Sequence, residues 1–287
     1  MTARGIFFSG DGRLRALWRM LLFLALVLAL LTLTTIALQP LLSAANRVTG
    51  IEATSDAITL TIALIAAHAI ALRWIDRRPW SYVRLNGSAA RPGLLGFGFV
   101  LGAVPITVAS LLLISLGWLA VEPAPPGSWG AAALRVTLLL APAAAFEELL
   151  SRGYLLAAMA DGMGMPVAVA VSSTAFGLLH LPNPGANAQS IILVTLAGIF
   201  LAVVLLATGS LYAAWVAHLA WNWVMAVPLH VAVSGIAVPR PGYQTVDAGP
   251  DWATGGPWGP EGGVFAAATM LAGIGYLYVR RSRTLPK

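Results

Sequence analysis

Apolar runs of about 20 residues, the length that carries a helix across a bilayer, recur along the whole 287-residue chain. Hydrocarbon offers the backbone no hydrogen-bonding partner, so a spanning segment is either a helix or a strand of a closed barrel. Barrel strands alternate apolar and polar residues over roughly ten positions. These runs are continuous and about twice that long, so the sequence predicts an all-α polytopic transmembrane helix bundle. About eight spans fall near residues 17–38, 56–75, 94–121, 131–158, 166–181, 191–208, 211–229 and 264–280. With 59% hydrophobic and only 10% charged residues, the chain lies far from the roughly 25% charged composition of soluble domains. The expectation is one membrane domain, residues 1–287.

The charge pattern sets the orientation. The net charge is +6, but the cations sit at span ends rather than on a separate basic domain, which argues against a nucleic-acid surface. Arg4, Arg13, Arg15 and Arg19 precede the first run; Arg73, Arg77, Arg78, Arg84 and Arg91 separate the second from the third; Arg280, Arg281, Arg283 and Lys287 close the chain. Such clusters mark cytoplasmic ends and contact anionic lipid heads. Both termini are therefore expected in the cytoplasm, with the first helix retained rather than removed as a signal peptide. The 121–130 connection carries Glu122 and no Lys or Arg, which suits the opposite side. The even span count agrees. Residues 229–263 form a Pro/Gly-rich extramembrane loop on that same side, with Trp252 and Trp258; its length suits either a lid or a linker. There are no cysteines, which excludes disulfides, thiolate metal sites and cysteine nucleophiles.

Three polar clusters interrupt the apolar runs. An ionisable group in hydrocarbon costs about 2.5–3.5 kcal/mol on insertion scales, so such groups mark functional sites or their paired supports. The first cluster is Glu147, Glu148 and Arg152. On a helix Glu148 and Arg152 are i,i+4 neighbours and form a natural ion pair. Glu147 points roughly 100° away and is free for other work. The second cluster is Phe176 and His180, again i,i+4, close to Pro182 and Pro184, which end the helix. The third is His218 and Asn222, among Trp215, Trp221 and Trp223. An amide and an imidazole together can donate to a developing oxyanion. Taken singly, each cluster also reads as a buried ion pair, a packed histidine or a helix–helix hydrogen bond. Together they make a set able to activate water. Ser151, Ser172 and Ser173 sit in no nucleophile elbow, and HExxH, Walker and Rossmann motifs are absent from the sequence.

The run Phe146-Glu147-Glu148-Leu149-Leu150-Ser151-Arg152 resembles the EExxxR motif of the CPBP intramembrane proteases, the CAAX-protease and bacteriocin-processing (Abi) family. Phe176-Gly177-Leu178-Leu179-His180 is similar to that family's FxxxH motif, and His218-Leu219-Ala220-Trp221-Asn222 to its HxxxN/D motif. Order and spacing fit, and the resemblance covers about residues 130–230. It implies an intramembrane glutamic endopeptidase in which Glu147 and His180 activate the hydrolytic water. His218 and Asn222 then form the oxyanion hole, and Glu148, Arg152 and Phe176 support the site. No cofactor is favoured; if zinc were used, its ligands would be Glu147, His180 and His218. The substrate is expected to be a CAAX-like or bacteriocin-like peptide, lipidated or membrane-associated, and the location a bacterial plasma membrane. Buried acids and imidazoles also suit a proton relay, so a proton-coupled transporter or a catalytically silent scaffold is the alternative.

Overall fold

The apolar runs fold as helices in a computed structural model that describes residues 3–8, 10, 12–49, 52–238 and 241–284. A short helix α1 (Ala3–Phe7) precedes the long α2 (Ala16–Thr49) and α3 (Glu52–Ile70), the last continued by a π turn over 71–75. Then follow α4 (Pro92–Ser115), strand β1 (Leu119–Pro123), α5 (Trp129–Arg152), α6 (Tyr154–Met163) and α7 (Met165–Leu178). The chain ends with α8 (Ala188–Thr208), α9 (Leu211–Ala226), β2 (Tyr243–Asp247), the single turn α10 (Asp251–Thr254) and α11 (Val264–Thr284).

Five stretches are long and apolar enough to cross a membrane: 16–44, 54–75, 92–115, 129–163 and 188–208. The other expected spans are occupied by α7, α9 and α11. The first two have 14 and 16 residues, short of the roughly 20 that a lone spanning helix needs. Both are wrapped by neighbours: α9 packs against α4, α5 and α8, and α7 against α6 and α8. The span expected at 131–158 is one stretch in length but is interrupted at Gly153. There the N–H of Tyr154 donates to Nε2 of His68 on α3 at 3.0 Å, while His68 Nδ1 is bonded to Leu64 O at 2.7 Å. This histidine is fully satisfied and structural. A Cβ at residue 153 would collide with its ring, so glycine allows the close approach that ends α5.

The α4–α9 contact places the third polar cluster. Gly98 and Gly102, one turn apart on α4, lie directly against the backbone of Ala213 and Ala217 on α9. A Cβ at either glycine would strike an alanine carbonyl. This is the small-xxx-small packing by which membrane helices approach closely without a hydrophobic driving force between them.

The bundle has two chemically different ends. At one, Arg19 at the start of α2 binds Asp76 (2.5 Å), Asp161 on α6 (2.9 Å) and the Tyr82 hydroxyl (2.6 Å). Burial and the neighbouring Asp161 hold that phenol well above its usual range. Ser210, the N-cap of α9, donates to Ala89 O at 2.6 Å, and Leu211 N donates to Arg84 O at 3.1 Å, so the α8–α9 turn lies at this end. Arg280 of α11 lies over the ring of Phe97, near the start of α4. Met1 and Lys287, whose cytoplasmic side was expected from charge, lie outside the described residues, as do Pro239 and Arg240.

At the other end, the segment expected as a loop over 229–263 is folded. Its β2 pairs antiparallel with β1, Leu119 opposite Asp247 and Pro123 opposite Tyr243. His230 stacks on Tyr243 at 4.2 Å and its Nδ1 is bonded to Tyr243 O at 2.7 Å. Gln189, at the start of α8, donates to Trp252 O and Gly262 O at 2.9 and 2.7 Å. Asn183 donates to Ser234 O at 3.0 Å. Trp258 is fully buried against Phe176 and Val194. Residues 229–238 and 241–263 thus form a packed cap over this end of the bundle.

Candidate active site

Three helices bring the three polar clusters together. The last turns of α5 carry Glu147, Glu148 and Arg152; the end of α7 and the turn beyond it carry Phe176 and His180; the middle of α9 carries His218 and Asn222. At the centre is an ion pair. Arg152 Nη1 donates to Glu148 Oε1 at 3.0 Å, and each residue is 1% exposed. One pairing does not satisfy a buried guanidinium, which carries five N–H donors. Arg152 Nη2 donates to Gly198 O on α8 at 3.0 Å, and the guanidinium lies over the Phe176 ring at 4.2 Å, a cation–π contact strengthened by desolvation. The pair expected from i,i+4 spacing is present, and it ties α5 to α7 and α8.

Both site histidines are held through Nδ1. His180 Nδ1 lies 2.8 Å from Phe176 O. A carbonyl only accepts, so Nδ1 carries the proton and Nε2 has its lone pair free in the neutral ring. His218 Nδ1 lies 3.0 Å from Glu148 Oε1, and a carboxylate imposes the same assignment. Phe176 sets its edge towards His218 with ring centres 5.9 Å apart and lies 4.9 Å from the His180 ring. It therefore separates and orients the two imidazoles.

Glu147 faces both free nitrogens. Its Oε2 is 3.9 Å from His180 Nε2 and 3.7 Å from His218 Nε2. These separations exceed a direct hydrogen bond and suit one bridging water or a substrate atom. Oε2 is enclosed and accepts no hydrogen bond from the described residues. Beyond the imidazoles is a cavity of about 30 Å³, bordered by His180, His218, Asn222, Ser234 and Glu261. That is room for about two waters. Asn222 borders this cavity, whereas Glu147 does not and meets the imidazoles from elsewhere. A residue in a helix presents its side chain along a direction fixed by the turn before it, and here that direction ends at the two Nε2 atoms.

The zinc alternative can be weighed against these distances. Tetrahedral zinc with bonds of about 2.0–2.1 Å holds its ligand atoms roughly 3.3 Å apart. The Glu147–His180 and Glu147–His218 separations are wider, and no three His, Asp or Glu among the described residues form a metal-holding group. The donor types suit zinc, and the two separations from Glu147 are several tenths of an ångström wider than zinc bonds would set.

One residue of the site lies outside the sequence motifs. Glu261, on the cap, accepts from Trp221 Nε1 at 3.0 Å and from both the N–H and the hydroxyl of Ser234 at 2.7 Å. It is 8% exposed. Its only sequence signal is an acid inside a Pro/Gly-rich segment. Of the serines near the motifs, Ser172 donates to Ser151 O at 2.7 Å and so joins α7 to α5.

Residues 128–224 match a protein-family model described as type II CAAX prenyl endopeptidase Rce1-like. No curated protein and no solved structure matches the chain. The matched segment contains all three polar clusters and the helices that hold them. This segment is similar to the type II CAAX prenyl endopeptidases, which are peptide hydrolases, and it lies in a chain with five helices apolar and long enough to span a bilayer.

Proposed function

We propose that this chain is an intramembrane glutamic endopeptidase with Glu147 as its general base. The observation that carries the reading is the approach of one enclosed, unpaired Glu147 oxygen to two imidazole nitrogens whose opposite nitrogens are already committed. A water held between Glu147 and His180 would lose a proton to the carboxylate as its oxygen attacks the scissile carbonyl carbon. The carbonyl π electrons move onto oxygen. Asn222 and His218 would then donate to that oxyanion, the largest single term in many acyl transfers. His218 Nε2 can donate only when both ring nitrogens carry protons, because Nδ1 is directed at Glu148. Collapse of the tetrahedral intermediate expels the amine, which takes the proton from Glu147 or through His180. Glu148, Arg152 and Phe176 hold the donors and take no proton in these steps. The mechanism needs no metal ion.

The substrate is a CAAX-like or bacteriocin-like peptide, lipidated or membrane-associated, in a bacterial plasma membrane. Anionic lipids would gather at the arginine-rich end, with both termini on the cytoplasmic side. The test is cleavage of a peptide library by purified protein in liposomes, wild type against Glu147→Gln. The amide is isosteric and should fold, while turnover should fall by about 10²–10⁴-fold, the usual contribution of a general base. Wild-type cleavage by the folded variant would remove Glu147 from the role, and no cleavage by either protein would favour the proton-relay or scaffold alternative.

A further inference from the structure

A second cavity lies at the arginine-rich end of the bundle. It holds about 110 Å³ and is bordered by Tyr82, Arg84, Arg152, Gly153, Leu156 and Asp161. That is room for several waters or for one tetrahedral oxyanion.

Three features around this space are positive. The first is Arg84, on the 76–91 connection. Its side chain is half-buried and pairs with no carboxylate among the described residues. Burial and the like charge of Arg281 hold its proton affinity below the usual range. The second is Arg152. Its two Nη atoms donate to Glu148 and Gly198 O, but its enclosed Nε has no partner among the described residues. The third is the start of α6. The first N–H groups of a helix have no intrahelical acceptor, and the N-cap is Gly153, which has no side chain to supply one. His68 takes the N–H of Tyr154, and the helix dipole still leaves partial positive charge here. The acid that borders the cavity, Asp161, is already engaged. Its Oδ2 accepts from Arg19 and from the Tyr82 hydroxyl at 2.9 and 2.8 Å.

Two guanidinium groups and a helix N-terminus around one space repel one another unless an anion lies among them. We infer that this cavity takes a phosphate group, held by Arg84 and the first turn of α6, beside Arg152. The planar fork of arginine matches phosphate oxygens with two parallel hydrogen bonds, and a helix N-terminus adds the dipole and backbone donors. A phospholipid headgroup and free phosphate both carry this chemistry. The inference does not rest on the peptidase reading.

Delipidated protein in detergent is titrated with phosphatidylglycerol, with diacylglycerol of the same chains, and with inorganic phosphate against chloride at equal ionic strength. Native mass spectrometry reads the lipids, and Tm reads the salts. Phosphatidylglycerol or phosphate should bind, and Arg84→Gln should weaken that binding at least tenfold. Arg73→Gln, which removes an exposed arginine near the same end, should leave it unchanged. Arg84→Lys should weaken it at least threefold, because lysine keeps the charge and loses the fork. Binding of phosphatidylglycerol without inorganic phosphate identifies a headgroup as the ligand, and the reverse identifies a soluble anion. Diacylglycerol bound as tightly as phosphatidylglycerol would overturn the inference, as would equal weakening by Arg84→Gln and Arg73→Gln or no binding of either phosphate probe. If Arg84→Gln does not fold, Arg84→Lys decides by the same comparison, and wild-type affinity in that variant would refute the site. The readout needs no cleavage, so its failure leaves the peptidase reading standing, and a protein that binds phosphate but cleaves no peptide would defeat only that reading.

Discussion

His218 Nδ1 sits 3.0 Å from Glu148 Oε1, on the same oxygen that receives Arg152. One carboxylate oxygen therefore holds a guanidinium from its own helix and an imidazole from another. This contact couples the ion pair of α5 to the orientation of α9. It also leaves the opposite nitrogen of His218 as the one that faces Glu147.

Oxyanion donation by Asn222 and His218 should show in kcat. Asn222→Ala is expected to lower kcat by about 10²–10³-fold, the cost of one oxyanion donor, with KM little changed. The His218→Ala, Asn222→Ala double variant should lose less than the product of the single losses, because both donors serve one atom. Steady-state kinetics on a cleaved library peptide is the measurement. A loss confined to KM would assign Asn222 to substrate binding instead.

Removing Arg152 should harm the fold as much as the chemistry. Arg152→Ala leaves Glu148 enclosed without its cation, and breaking an enclosed pair costs about 3–5 kcal/mol. It also frees Gly198 O and the face of Phe176. Thermal unfolding in detergent should show a clear loss of Tm, and Arg152→Lys should recover only part of it, since lysine cannot reach Glu148 and Gly198 with one planar fork. An unchanged Tm would mean that the pair contributes nothing net.

The α4–α9 contact should tolerate no added side chain. Gly102→Leu drives a side chain into the Ala217 carbonyl, one residue before His218. Overpacking of this kind costs typically about 1–3 kcal/mol, and the displacement of α9 should lower activity further. Gly96→Leu is the control, since nothing lies within 4 Å of a Cβ there. Equal stability of the two variants would contradict the observed closeness of α4 and α9.

Metal analysis separates the glutamic reading from zinc. Purified, active protein should carry substoichiometric zinc, and chelation followed by chelator removal should leave its cleavage rate unchanged. Loss of activity on chelation, restored by added zinc, would mean that Glu147 and the two imidazoles close by several tenths of an ångström to take the ion.

The sequence by itself determined that this chain spans a membrane as helices, because long apolar runs admit no other fully hydrogen-bonded backbone in hydrocarbon. It also determined the Glu148–Arg152 pair, since i,i+4 neighbours meet on any helix. The i,i+4 placement of His180 after Phe176 was equally legible. The tertiary structure alone decided what depends on contacts between distant segments. His218 meets Glu148 across 70 residues, and Gly98 and Gly102 bring the helix of His218 and Asn222 into position. The residues at 229–263 read as a loop because their order is not periodic: pairing with β1, a buried Trp258 and the triple hydrogen bond of Glu261 supply the order that local pattern lacks. Glu261 illustrates the reason. Local spacing reports which side chains share a helix face, whereas an acid in a non-periodic segment acquires its partners only when the chain folds back on itself.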